Sequence, residues 1–279
     1  MPELPEVETT RRGIEPLIVG QPVKEFIIHH PQLRWPVNPQ MQKTLKNQTV
    51  LSCQRRGKYL LFEFAEGVQM IHLGMSGSIR HAPADQPRLA HDHAEWRFAQ
   101  TRLIYNDPRR FGAILWHEHQ AGPIQEHPLL ARLGCEPLGT DFTPAVLAKG
   151  LQSRRQAIKN ALLSGQIVVG VGNIYASECL FLAKIHPATP AGQLSKARIQ
   201  RLHQAIVDTL NLALAAGGTT LKDYRNATGE AGAYFELHAQ VYGKEGQPCP
   251  RCQTPIRRVV QNQRATYYCT RCQPRPRRS

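Results

Sequence analysis

Leu4, Val7, Ile14 and Leu17 recur at helical spacing, with Glu3, Glu6 and Thr10 on another face, and the run stops at Gly20. Apolar residues three and four apart line one stripe of a helix, so residues 3–19 are predicted to form one. From 22 to 118 the pattern shortens. Short β-rich runs at 23–28, 49–53, 59–64, 69–73, 95–99, 102–106 and 113–116 are separated by Gly, Pro, Asn and Asp. Many short strands at this spacing predict a sandwich or a barrel.

Residues 119–143 are rich in Pro and Gly and read as a connector into a second domain. Thr143-Pro144 then supplies an N-cap and a first helical residue. Helical runs follow at 157–163, ending at Ser164-Gly165, at 174–183 after the loop Gly170-Val171-Gly172-Asn173, and at 195–214 before Gly217-Gly218. Residues 217–240 are polar and contain glycine, the composition of a mobile loop. No internal repeat is present. The expected layout is a catalytic domain over 1–133, a linker over 134–142, a helical domain over 143–240, a cysteine module over 241–273 and a basic tail over 274–279.

Composition narrows the function. The 279 residues are 41% hydrophobic and 20% charged, enough apolar material for about two domains. No stretch approaches the roughly 20 apolar residues of a membrane span. The N-terminus carries charges of both signs and no apolar run, so it does not read as a signal peptide. The expectation is a cytoplasmic, bacterial protein. The formal net charge is +14. That favours a polyanionic partner, although a generally basic protein has the same sum. The distribution is more telling: residues 249–279 hold eight arginines and no acidic residue.

Four of the seven cysteines form two pairs, Cys249-x2-Cys252 and Cys269-x2-Cys272, separated by sixteen residues. Each pair can bind one ion from a tight turn, and the turns converge if 253–268 form a hairpin. Four thiolates favour tetrahedral Zn²⁺, and a four-ligand site without an open position is structural. Arg257, Arg258 and Arg264 lie between the pairs and suit phosphate. By itself the module establishes a nucleic-acid-binding zinc ribbon. Cys53, Cys135 and Cys179 read as buried small hydrophobes.

Removal of the initiator methionine would leave a secondary amine on Pro2. An α-amino group has a pKa of roughly 7.7–8.0, so a neutral fraction exists near neutrality, and a following helix lowers the pKa further. A neutral secondary amine can attack a sugar C1′ and displace a base. Glu3 is adjacent and Glu6 lies one turn on; a carboxyl there can move protons. Taken alone, Pro2 and Glu3 read first as the start of a helix.

Several segments together resemble the formamidopyrimidine-DNA glycosylase family. They are Pro2-Glu3-Leu4-Pro5-Glu6-Val7-Glu8, Arg56-Gly57-Lys58-Tyr59-Leu60, His72-Leu73-Gly74-Met75-Ser76-Gly77, His91-Asp92-His93 and Asp107-Pro108-Arg109-Arg110-Phe111-Gly112, then Ala157-Ile158-Lys159, Val169 to Ala176 and the zinc ribbon. The resemblance covers nearly the whole chain. It implies an α+β fold: an N-terminal β-sandwich flanked by helices, then a helix–two-turn–helix domain with a C-terminal zinc ribbon. It implies excision of oxidised purines from double-stranded DNA, with the damaged nucleotide flipped out, an iminium on Pro2, and β,δ-elimination at the abasic site. Pro2 would be the nucleophile and Glu3 the acid/base, with Glu6 in support. Lys58 and Arg264 would assist elimination at phosphates. His91, Arg109, Lys159 and Asn173 would contact DNA. So would Arg154, which stands where the family usually has lysine. Met75, Arg109 and Phe111 would fill the gap left by the flipped base; read alone, Met75 and Phe111 would be core residues. One structural zinc is the expected cofactor, on Cys249, Cys252, Cys269 and Cys272, and a monomer is the default. The alternatives are an endonuclease VIII-type enzyme for oxidised pyrimidines, whose members start Pro-Glu-Gly-Pro where this chain has Leu4, and a non-enzymatic zinc-ribbon DNA-binding protein.

Overall fold

The computed structural model describes residues 2–83, 85–218 and 233–275. The chain forms two units, Met1–Ala131 with Ala216–Phe235, and Arg132–Ala215 with Glu236–Ser279. Of the described residues, 216–218 and 233–235 group with the N-terminal unit. Residues 219–232 of the expected mobile loop and 276–279 of the basic tail lie outside the described residues.

The first unit opens with α1 (Leu4–Ile18), which buries Leu4, Val7, Ile14 and Ile18. It stops before Gly20, whose φ of +79° suits glycine and whose N–H donates to Val50 O at 2.8 Å. The elements that follow are β1 (Glu25–Ile28), α2 (Met41–Thr44), β2 (Ser52–Arg56), β3 (Tyr59–Glu63), β4 (Gly67–His72), β5 (Ser78–Ala82), β6 (Asp92–Arg97), β7 (Arg102–Asn106) and β8 (Ala113–Glu118). They make two antiparallel four-stranded sheets, ordered β1-β6-β7-β5 and β2-β3-β4-β8. Phe26, Trp96, Leu103 and Tyr105 of one sheet share a core with Leu60, Phe62, Ile71 and Ile114 of the other, and with Val7, Ile14 and Ile18 of α1.

Trp96 joins the two sheets. Its ring lies 5.1 Å from Phe26 and 6.0 Å from Phe62 between centroids, and its Nε1–H donates to Oε1 of buried Gln69 at 2.8 Å. A buried indole N–H needs such a partner.

Three strands depart most from the sequence pattern. β5 was not expected, because Arg80 and His81 hide its alternation; pairing with β7 makes it a strand. β2 runs to Arg56 because a two-residue turn, Gly57–Lys58, sets Arg56 opposite Tyr59. β6 starts at Asp92, and a turn closed by Phe98 N–H to Thr101 O ends it early.

The second unit holds α3 (Pro144–Leu151), α4 (Ile158–Leu163), α5 (Asn173–Leu182) and α6 (Lys196–Ala215), then the hairpin β9 (Arg257–Gln261) and β10 (Arg264–Tyr268). Thr143 caps α3, its hydroxyl accepting the Val146 N–H at 3.2 Å. All residues of α5 from Ile174 to Phe181 are buried, as a helix packed on every side must be. Cys53 and Cys179 are buried as expected, whereas Cys135 is only partly so.

Replacing Trp96 by Ala should destabilise the first unit by about 3–5 kcal/mol, the cost of a large core cavity, measured by denaturant unfolding. A loss below about 1 kcal/mol would mean that the sheets do not depend on this ring.

Candidate active site

The N-terminus is enclosed. Pro2 is buried, and Glu3 and Glu6 are each 1% exposed. Glu3 and Glu6 form a capping box, the Glu3 N–H donating to Glu6 Oε2 at 2.7 Å. Gly218 sits against Glu6 with φ +86°; a Cβ there would fall 3.1 Å from Oε1. The Gly218 carbonyl accepts the Tyr234 N–H at 3.1 Å.

One turn on, Glu8 collects guanidinium groups. It accepts from Arg11 Nη2 at 3.0 Å, Arg12 Nε at 2.9 Å and Arg55 Nε at 3.1 Å. Burial alone would raise its pKa. Hydrogen bonds from Arg11 and Arg12, with the charges of Arg11 and Arg55, outweigh burial and hold it below 4.5. Arg55 also donates from Nη1 to Gly57 O at 2.9 Å. The helix behind Pro2 is therefore tied to the turn that carries Lys58. Gly57 takes φ +58° as the first residue of that turn. Burial, then the charges of Lys58 and Arg34, push the His72 pKa down to about 4. The neutral ring accepts the Gly74 N–H on Nδ1 at 3.0 Å.

Gly74 begins the loop of Met75, which adjoins the loop 107–112. A Cβ on Gly74 would fall 2.4 Å from Phe111 C and Gly112 N, so only glycine fits. Met75 is 39% and Phe111 46% exposed, which excludes the core reading for both. The Arg109 guanidinium carbon lies 4.9 Å from the Phe111 ring centroid. His91 adopts φ +68°, and its carbonyl accepts the Asp107 N–H at 3.1 Å. Pro2, Glu3, Lys58, Met75, His91, Arg109 and Phe111 thus all belong to one unit.

The other expected residues belong to the second unit. The sulfurs of Cys249, Cys252, Cys269 and Cys272 lie within 4.8 Å of one another. Three of the separations are 3.4, 3.6 and 3.9 Å. A tetrahedron with Zn–S bonds of about 2.3 Å has edges of about 3.8 Å, so the thiolates fit one structural zinc. Asn262 and Gln263 turn the intervening hairpin with φ of +45° and +60°, and Arg264 follows as an exposed residue. The resemblance implies a DNA contact for Lys159, yet its side chain is 0% exposed. Its Nζ donates to Ala265 O at 2.8 Å and to Thr266 Oγ1 at 2.7 Å. Asn173 Nδ2 donates to the same Ala265 carbonyl at 3.0 Å and to the Tyr242 hydroxyl at 3.3 Å. Arg154 folds back onto Gly150 O at 2.8 Å.

Three family models match the chain in order. The formamidopyrimidine-DNA glycosylase N-terminal domain matches residues 1–114, the H2TH domain of the same enzymes matches 133–225, and a zinc finger found in FPG and IleRS matches 246–275. A formamidopyrimidine-DNA glycosylase of Bordetella avium is 54% identical over 275 residues, 99% of this chain and all of the relative. The chain belongs to the formamidopyrimidine-DNA glycosylase family. It is a DNA glycosylase with a structural zinc finger. Solved structures of Lactococcus lactis Fpg align over 98% of this chain and 100% of theirs. The complex with abasic-site DNA has a TM-score of 0.89 at 36% identity, and a variant in complex with Fapy-dG DNA has 0.88 at 37%.

Some buried or half-buried residues that hold these segments in place escaped the sequence reading. Arg55 and Asp107 lie beside or inside recognised motifs, but only the exposed members of those motifs drew attention. An Asp opening a Pro- and Gly-containing loop is the available signal, since Asp grips backbone N–H groups in turns. Glu178 gave none. It is buried on α5 and accepts the N–H groups of Gln240, Val241 and Tyr242 at 2.8, 3.0 and 2.7 Å. Burial raises its pKa despite those bonds.

Metal analysis should find one zinc per chain. Chelation, or Cys269→Ser, should remove it and lower DNA affinity; full affinity in metal-free protein would refute a structural zinc. Glu8 has a lowered pKa when folded, so its stabilisation is present above 4.5 and lost as pH falls through the folded value. Glu8→Gln should cost about 1–3 kcal/mol near neutrality. In melting curves the gap from the parent should be full above pH 4.5 and shrink as pH falls below it; a constant gap would mean that the carboxylate charge does not matter.

Proposed function

We propose that the chain excises oxidised purines, 8-oxoguanine and formamidopyrimidines, from double-stranded DNA and then cuts the strand at the abasic site, with Pro2 as nucleophile. One observation carries the reading. A buried Pro2-Glu3 start and an exposed Met75–Arg109–Phe111 set occur together in a single unit. An enclosed chain end suits covalent chemistry, and exposed apolar side chains beside an arginine suit a gap in a base stack.

With Met1 removed, the Pro2 nitrogen lone pair attacks C1′. The N-glycosidic bond breaks towards the base, which leaves with its electron pair and takes up a proton. Glu3 is the proton source for the base or for ring oxygen O4′. Ring opening gives an iminium between Pro2 and C1′. Loss of a C2′ proton then expels the 3′ phosphate, and a second elimination expels the 5′ phosphate. Water releases the sugar remnant and restores the amine. The product is a one-nucleotide gap with phosphate at both ends. Lys58 and Arg264 are the cations for the two phosphates. Lys159 and Asn173 serve by fixing the Ala265 carbonyl next to Arg264. The +14 charge suits a duplex partner, and binding should weaken steeply with salt. Its place of work is then the chromosome.

The test is borohydride trapping on a duplex with one 8-oxoguanine opposite cytosine, using untagged protein and Pro2→Gly. A covalent adduct for the parent, reduced at least tenfold in the variant, supports both substrate and mechanism. An adduct only on an oxidised pyrimidine would move the enzyme to the endonuclease VIII type. Duplex binding without an adduct on any lesion would leave the zinc-ribbon binding protein.

A further inference from the structure

The loops that carry Met75 and Phe111 are held by one carboxylate. Asp107 is 0% exposed. Its Oδ1 accepts the Ser76 hydroxyl at 2.7 Å and the Arg109 N–H at 3.3 Å. Its Oδ2 accepts the Gly112 N–H at 2.9 Å and the Tyr105 hydroxyl at 3.3 Å. The Ser76 oxygen in turn accepts the Arg109 N–H at 3.2 Å. The Asp107 backbone is fixed as well: its N–H donates to His91 O, and its carbonyl accepts the Arg110 N–H at 3.1 Å and His93 Nε2 at 2.8 Å.

Ser76 is the neighbour of Met75 in one loop, and Arg109 and Gly112 flank Phe111 in the other. A displacement of either loop must therefore break bonds to the same carboxylate. Charge-assisted bonds to a buried carboxylate are the stronger kind, and losing a partner leaves a buried charge under-satisfied. The loops should move as one body. Exposed Met75 and Phe111 gain no core packing that would order them, so their alignment has to come from the backbone beneath.

We propose that Ser76 and Asp107 are positioning residues for base eversion: they hold Met75, Arg109 and Phe111 as a pre-formed wedge. This rests on the reading above that those three side chains fill the space left by the everted base. Pre-organisation matters here because a wedge that orders only on entering the duplex adds that ordering to the cost of unstacking the base. Both side chains are buried, Asp107 at 0% and Ser76 at 6% exposure, so the proposal gives them a positioning role and no part in the elimination chemistry.

Ser76→Ala and Asp107→Asn are compared with the parent under single turnover. One substrate is the 8-oxoguanine duplex; the other is a single-stranded oligonucleotide with an abasic site, in which no stack has to be opened. A 2-aminopurine next to the lesion reports eversion directly. The expected result for Ser76→Ala is excision from the duplex slowed tenfold or more, a matching loss in the rate of the fluorescence rise, and strand cutting of the single strand within twofold of the parent. Asp107→Asn should act in the same direction and more strongly; if it fails to fold, Ser76→Ala decides alone. An equal loss on both substrates would overturn the proposal, because general misfolding would then account for it. No loss on either would overturn it too. Met75→Ala is the control for the underlying reading. If it slows duplex excision and Ser76→Ala does not, the positioning role alone fails; if neither slows it, the wedge itself is refuted.

Discussion

A chain end frays unless something ties it down. The anchoring of residues 2–8 is the constraint on which the rest of the site depends. Three ties meet it. Val7 is sunk into the sandwich core and Leu4 is fully buried, so the first turn of α1 is fixed by burial. Glu6 closes a capping box on Glu3, satisfying a backbone donor that a helix start would leave open. Glu8 then locks the helix, through Arg55, to the turn that presents Lys58.

The same device recurs at the other key points. A charge buried without partners is costly, and a charge whose bonds reach separate segments holds those segments in register. Asp107 does this for the two loops of Met75 and Phe111. Lys159 does it for α4 and the hairpin ahead of Thr266, with Asn173 of α5 on the same carbonyl. Glu178 holds the segment 240–242 against α5, where Tyr242 meets both Asn173 and Tyr267. Each tie is made by a buried side chain, so the residues that hold these segments are distinct from the exposed residues, such as Met75, Phe111 and Arg264, that the proposed function places at DNA.

The zinc finger applies the same logic to a segment too small for a core of its own. Cys249 and Cys269 are buried with Ile256, Val241 and Phe181, while Arg251 stacks on Phe181 at 4.7 Å. Metal–thiolate bonds and this small cluster replace the hydrophobic mass that a thirty-residue ribbon lacks.

Residues 3–19 were legible as a helix because their burial stripe repeats within the segment itself. The zinc ligands were legible because metal geometry fixes their spacing locally. Pro2, Glu3, Lys58, Met75, Arg109, Phe111 and Arg264 stand out as candidates in the chain alone because they lie in local patterns that resemble the family's. What the sequence left open depends on partners far along the chain. β5 becomes a strand only because β7 lies beside it. Met75 and Phe111 could not be told from core residues until the sheets placed them outside. Lys159 was expected at DNA by resemblance, and only the hairpin more than a hundred residues later shows it enclosed. Local chemistry is written in neighbouring residues; burial and the pairing of charges are set by long-range packing, which no single segment encodes.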